Sequence, residues 1–505
     1  MNKIPPEILL NIVDGLDAPL ARYASVSRAF RQVIEARTFA NIQLTSTEQS
    51  LTKFDAIFSN TRRRYFVREL EYKVELPDIS KKRFKKLQSN REAAENNRVY
   101  TVAVSALFTR LQKWTDATED LEKAPSFRLT ISSSSPKDSY RPESPHQHEH
   151  DPAWEVRNSF KYIEFNELEV LPPLLCVNEF DHSGRSLHPN VMAVINKALP
   201  RMKSLLWELF TAPRRLEALR ADLRASMASV LADTEFSNLE ALDIYYEDTD
   251  PLNQDWEPEN LLDANGDDPL SLAVNRISRL PKLRLLELRG THILSPAVFD
   301  VDGENRDAWR FLEYLYLDVS KTTPGGGWYF TGDREKTMTS DERIESDSEA
   351  SVAAFDSDDS DASDFLPDFR WRKLDGDIPW VDFRLHPDPI TLNPFLIAMA
   401  RAIVRMPALK RFACGFTDAA DIYYYGPGVE KSGPMTIDKS NFFDSALSHG
   451  RWIMDFETEI PFNDEDPLFS DWVLPPELTE TLEAAGHRIF LTRGYRHVHR
   501  CQPGC

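Results

Sequence analysis

The sequence predicts an α/β protein: a small three-helix unit at the N-terminus, then an irregular solenoid of helices and short strands, interrupted by an acidic disordered insertion. Three observations carry that prediction. An apolar stripe at helical spacing opens the chain in MNKIPPEILLNIVDGL. A pattern L-x-x-L-x-L recurs beyond residue 60. One segment, DERIESDSEASVAAFDSDDSDASDF, is built almost entirely from carboxylates, serines and alanines.

Residues 1–45 read as the helical unit. Pro5 and Pro6 sit at the entry of the first helix, where a missing N–H costs least. Ile8, Leu9, Ile12, Val13 and Leu16 follow as one stripe at i, i+1, i+4, i+5 and i+8. Asp17 can cap a second helix carrying Leu20, Tyr23 and Ala24, and Ser27 a third carrying Phe30, Val33 and Ile34. Three helices this short share little interior. They gain by burying leftover apolar surface against something else, either a partner's groove or the repeat that follows.

Residues 46–332 and 367–505 read as the two parts of the solenoid. The pattern appears as Met202, Leu205 and Trp207 in LPRMKSLLWEL, then as Leu239, Leu242 and Ile244. It returns as Leu283, Leu286 and Leu288, as Leu312, Leu315 and Leu317, and more weakly as Leu409, Phe412 and Cys414. Val67, Leu70 and Tyr72 form an early copy. Alternating apolar residues on a short strand point one way, while the upstream leucine turns inward. This is how a leucine-rich repeat stacks strands into a parallel ladder. Helical patterns such as LSLAVNRISRLPKL and FLIAMARAIVRMPAL precede several copies, so the expected unit is helix, loop, strand. The strands near 205, 242, 286, 315 and 412 are expected side by side, with Leu286 and Leu315 buried.

Residues 333–366 hold the acidic run, with too many like charges and too little to bury to offset the cost of ordering backbone. Ser346, Ser348, Ser357 and Ser360 have carboxylates just downstream and suit an acidophilic kinase; the run reads either as a purely solvating acidic loop or as one that acts electrostatically on a partner or on the basic Arg62–Arg98 stretch. A second polar stretch, 132–150, reads as a loop.

The formal net charge of −21 over 505 residues argues against nucleic acid as a partner, because phosphate binding needs a basic face. Between Arg62 and Arg98 the chain is locally basic, and Lys81, Lys82, Lys85 and Lys86 read as a solvated helix face. Four cysteines are too few for a disulfide framework. Cys176 and Cys414 lie in apolar surroundings and read as core thiols of a reducing compartment. The first residues lack a basic leader region, and no apolar run is long enough to span a bilayer. A cytoplasmic or nuclear location without membrane contact is expected.

The stretch IPPEILLNIVDGL, followed by LARYASVSRAFRQVIE, resembles the F-box, the helical module that docks onto the Skp adaptor of Skp–cullin–F-box ubiquitin ligases. The match lies in Ile4-Pro5-x-Glu7-Ile8-Leu9, where the family usually has Leu-Pro-x-Glu-Ile-Leu. It continues through Ile12, Leu16, Leu20 and Tyr23 to Val26-Ser27-Arg28 and Phe30. The family usually has a tryptophan near position 30; Phe30 keeps an aromatic ring without the indole. The pairing with leucine-rich repeats is similar to one class of F-box proteins, and the style of the helices to those abundant in filamentous fungi. The resemblance implies a non-catalytic substrate adaptor with the Skp adaptor, and through it cullin, as partners. Ile4, Pro5, Ile8, Leu9, Ile12, Leu16, Leu20, Val26 and Phe30 would be the docking residues. The alternative it leaves is an interaction protein that binds the Skp adaptor outside any ligase.

Catalytic signatures are absent from the sequence, and no cofactor or metal is expected. Gly325–Gly327 in TPGGGWYF lack the following Lys-Ser/Thr of a phosphate cradle and read as a turn. His146, His148 and His150 alternate in HQHEH but sit in a polar, proline-rich stretch without cysteine. In the tail, His497, His499, Cys501 and Cys505 are too closely spaced for a tetrahedral zinc cage from one short segment.

Overall fold

A computed structural model gives the fold. It describes residues 6–15, 20–79, 88–115, 125–136, 161–165, 170–233, 236–247, 250–301, 307–334, 338–339, 376–377, 381–384, 386–416, 420–425, 451–459 and 472–496. The chain is α/β with mostly parallel strand pairing, and it divides into two compact units, one ending at Trp207 and one beginning at Glu208.

The first unit opens with helix α1 (Pro6–Asp14), a 3-10 helix (Leu20–Ser25) and helix α2 (Arg28–Thr38). Ser27 caps α2 as expected, its side chain accepting from the Phe30 N–H at 3.2 Å. The expected second helix is the 3-10 segment, and its proposed cap, Asp17, lies outside the described residues. Strand β1 (Asn41–Thr45) follows, then helices α3 (Glu48–Phe58) and α4 (Thr61–Arg64), and strand β2 (Glu69–Glu75). A 26-residue helix, α5 (Asn90–Thr115), leads to strand β3 (Phe127–Ser134) and strand β4 (Val177–Gly184). Helix α6 (Pro189–Lys197) leads to strand β5 (Ser204–Phe210). The ladder β1-β2-β3-β4-β5 is parallel throughout. Its buried rows run across strands, as in Leu44, Tyr72, Ile131 and His182.

The serines at 132–134 correct one expectation, because they continue β3 rather than starting a loop. Serine favours turns when alone, but pairing Ser132 with Ser183 and Ser133 with Gly184 holds this run extended. Gly184, at φ +94°, is required there: a Cβ would stand 2.3 Å from the Ser133 carbonyl oxygen.

In the second unit, helix α7 (Glu217–Asp233), strand β6 (Ala241–Glu247), helix α8 (Pro269–Ile277), strand β7 (Leu285–His292) and strand β8 (Tyr314–Val319) succeed one another. Helix α9 (Leu392–Ile403) and strand β9 (Arg411–Phe416) continue the alternation. Strands β6, β7, β8 and β9 pair in parallel, and the expected leucines fall into common rows. Leu242, Leu286, Leu315 and Phe412 form one row, and Ile244, Leu288, Leu317 and Cys414 the next. All eight are buried. The upstream Leu239, Leu283, Leu312 and Leu409 are buried too, each two residues ahead of its strand.

Asp268 starts α8 by accepting from the Leu270 N–H, with Pro269 in the first turn, and Leu270, Ala273, Val274 and Ile277 turn inward. In α9 the buried residues Phe395, Leu396, Met399 and Ala402 repeat at helical spacing. Beyond β9 the order changes: strand β10 (Ala420–Tyr425) and strand β11 (Arg451–Glu459) are antiparallel additions. Helix α10 (Pro476–Ala484) precedes strand β12 (Arg488–Arg496), which pairs in parallel with β11.

Of residues 333–366, Met338 and Thr339 form a two-residue strand against Val381 and Asp382, and residues 340–366 lie outside the described residues. The same holds for Lys81, Lys82, Lys85 and Lys86, for His146–His150, and for the tail from His497.

Candidate docking face of the N-terminal helices

The three helices enclose a core of their own. Leu9 and Val13 from α1 meet Val33 and Ile34 from α2, with Leu20, Tyr23, Ala24, Ala29 and Phe30 packed around them. Helical geometry decides what remains outside. At about 100° per residue, a helix that sends Leu9 and Val13 inward turns Ile8 and Ile12 to one flank and Leu10 to the other. Ile8 is 49% exposed, Leu10 41% and Ile12 42%, while Leu9 is 2% exposed. Val26, between the 3-10 helix and α2, is 52% exposed.

The expected docking residues therefore separate. Ile8, Ile12 and Val26 are on the surface, Leu20 and Phe30 are half-buried against the core, and Leu9 is inside it. Ile4, Pro5 and Leu16 lie outside the described residues. Leu10 was not among the expected residues. Its signal was present as an apolar residue standing off the helical stripe.

Polar contacts fix the unit. Arg37 at the end of α2 pairs with Asp14 at the end of α1. Glu35 pairs with Arg63 of α4 at 3.2 Å, and the Arg63 guanidinium lies 5.1 Å from the Phe39 ring centroid. The neighbouring arginines brace the structure rather than forming a free basic face. Arg63 Nη1 donates to the Ile57 carbonyl, and Arg64 donates to the carbonyls of Phe58 and Lys113. Burial lowers the Arg64 pKa from its ordinary value.

Two adjoining clefts in the second unit hold about 20 and 30 Å³ for water-sized occupants, against ~300–1,000 Å³ for small-molecule sites. Arginines line both, yet they serve the fold. Arg214 pairs with Asp377 at 3.1 Å and Arg224 with the buried Asp268 at 2.7 Å. Arg220 donates to Thr211 Oγ1 and to the Ala212 carbonyl.

The glycine-rich turn also closes on itself. Gly326 donates to the Thr323 carbonyl and Gly327 to Thr323 Oγ1. Cys176 and Cys414 are both buried free thiols, and burial pushes Cys176 up to about 12. Among the described residues no group of three or more His, Cys, Asp or Glu is placed to hold a metal ion, and no helix is long and apolar enough to cross a membrane.

No family model, curated protein or solved structure matches the chain.

Proposed function

We propose that this chain is a substrate-recognition adaptor of a Skp–cullin–F-box ubiquitin ligase. The N-terminal helices act as an F-box and dock onto the Skp adaptor, and a leucine-rich-repeat-like solenoid holds the protein to be modified. The observation that carries the reading is that Ile8, Leu10, Ile12 and Val26 stand outside a unit whose core is already filled by Leu9, Val13, Val33 and Ile34. Exposed apolar side chains on a small helical unit fit a partner's hydrophobic groove. The in-register rows of the L-x-x-L-x-L positions support the solenoid.

In this role the chain makes and breaks no bonds. It raises the effective concentration of substrate lysines near a ubiquitin carrier held by other subunits. Copurification of the tagged chain tests the proposal. Recovery of both the Skp adaptor and cullin is the expected result. The Skp adaptor without cullin would favour an interaction protein working outside any ligase, and recovery of neither would overturn the F-box reading.

A further inference from the structure

Three arginines flank Val26 in the sequence. Arg22, Arg28 and Arg31 are all exposed, Arg22 on the 3-10 helix and the other two on one face of α2. Among the described residues none of the three pairs with a carboxylate. The carboxylates of this unit whose side chains are described are already engaged, Asp14 by Arg37 and Glu35 by Arg63. Three arginines thus stand near Val26 without a carboxylate partner among the described residues, in a chain whose formal net charge is −21.

Arginine beside exposed apolar residues is the composition of an interface, with the apolar groups at its centre and charge at its rim. We infer that the docking face fits an apolar groove rimmed by carboxylates, and that Arg22, Arg28 and Arg31 steer an acidic protein partner onto it. The inference rests on the proposed adaptor role for the partner's name, but its chemistry comes from the charges alone. An anionic membrane or nucleic acid is the less favoured occupant. The apolar residues of α1 are flanked by Glu7 and Asp14 in the sequence, and the chain as a whole is strongly acidic.

Rim charges mainly set the encounter rate, while the apolar centre sets residence time. The two can therefore be separated. Association of the full chain with a purified Skp adaptor would be followed at 50 and 500 mM salt, for wild type and for a triple variant Arg22→Glu, Arg28→Glu, Arg31→Glu. All three side chains are exposed, so the variant should fold, and a thermal melt checks this. At low salt the triple variant should associate about tenfold more slowly, the difference should shrink at high salt, and dissociation should change little. Association that ignores both salt and the triple substitution would overturn the inference while leaving the adaptor role intact. Wild-type chain that does not bind the adaptor at all would overturn both. Cosedimentation of wild type, and not the triple variant, with phosphatidylserine vesicles would assign the arginines to a membrane and also overturn it.

Discussion

Ile8 and Leu9 are adjacent on α1 and face opposite environments: Leu9 is packed against Val33 and Ile34, and Ile8 stands in solvent. That single rotation along the helix separates residues that hold the unit together from residues available to a partner. It also gives the first prediction. Leu9→Ala should cost about 2–5 kcal/mol of stability, enough to loosen so small a unit, whereas Ile8→Ser should change stability by less than about 1 kcal/mol. Hydrogen exchange of α1 and α2 amides reads the difference. Equal protection in the two variants would contradict the burial assignment.

Much of the fold was legible because its buried rows repeat one residue type. Leu242, Leu286 and Leu315 announce their strands through alternation and spacing, and the structure aligns them. Strand β3 was hidden in part because Ser132–Ser134 carry turn chemistry, and only the partner strand β4 holds them extended. The reversal of direction at β10 has no signal of this kind, since alternation looks the same in parallel and antiparallel strands. At the docking face, the stripe showed which residues are apolar but not which flank turns inward. That depends on where Val33 and Ile34 land, which is tertiary information.

Asp268 has three tasks in the second unit. It caps α8 through the Leu270 N–H, accepts from Ser271 Oγ at 2.5 Å, and pairs with Arg224 at 2.7 Å with no side-chain exposure of its own. Asp268→Ala removes the cap and leaves the mostly buried Arg224 guanidinium without its carboxylate, though still bonded to the Ile293 carbonyl. A loss of about 3–5 kcal/mol is expected from the broken ion pair, measured by urea denaturation. A loss below about 1 kcal/mol would show that water replaces the carboxylate without cost.

Gly290 lies where the register of β7 and β8 shifts, with φ +85°. A Cβ there would stand 2.0 Å from the Tyr246 carbonyl oxygen. Gly290→Ala should therefore destabilise by at least about 1–3 kcal/mol from backbone strain alone, with further cost from displacing β6. An unchanged melting temperature would contradict the packing of β7 against β6.

His182 is fully buried on β4, beside the Tyr100 ring, and burial lowers its pKa from 6.5 to about 3. In the unfolded chain it takes up a proton near pH 6.5, whereas the folded chain leaves it neutral. The unfolded state thus binds more protons between these values, so stability falls as pH drops below about 6.5, by at most ~1.4 kcal/mol per unit from this group. Comparing wild type with His182→Phe by denaturation at pH 7.5, 6.5 and 5.8 isolates the effect. A shallower pH dependence is expected in the variant, and parallel curves would contradict it.

The most direct test of the adaptor account is binding of the Skp adaptor by the double variant Ile8→Asp, Ile12→Asp. Both side chains are exposed in the free protein, so the variant should melt with the wild type. In a complex each carboxylate would be buried without a partner, costing several kcal/mol. Loss of adaptor binding at least a hundredfold, with an unchanged melt, is the result the account predicts. Wild-type affinity in the folded double variant would contradict it.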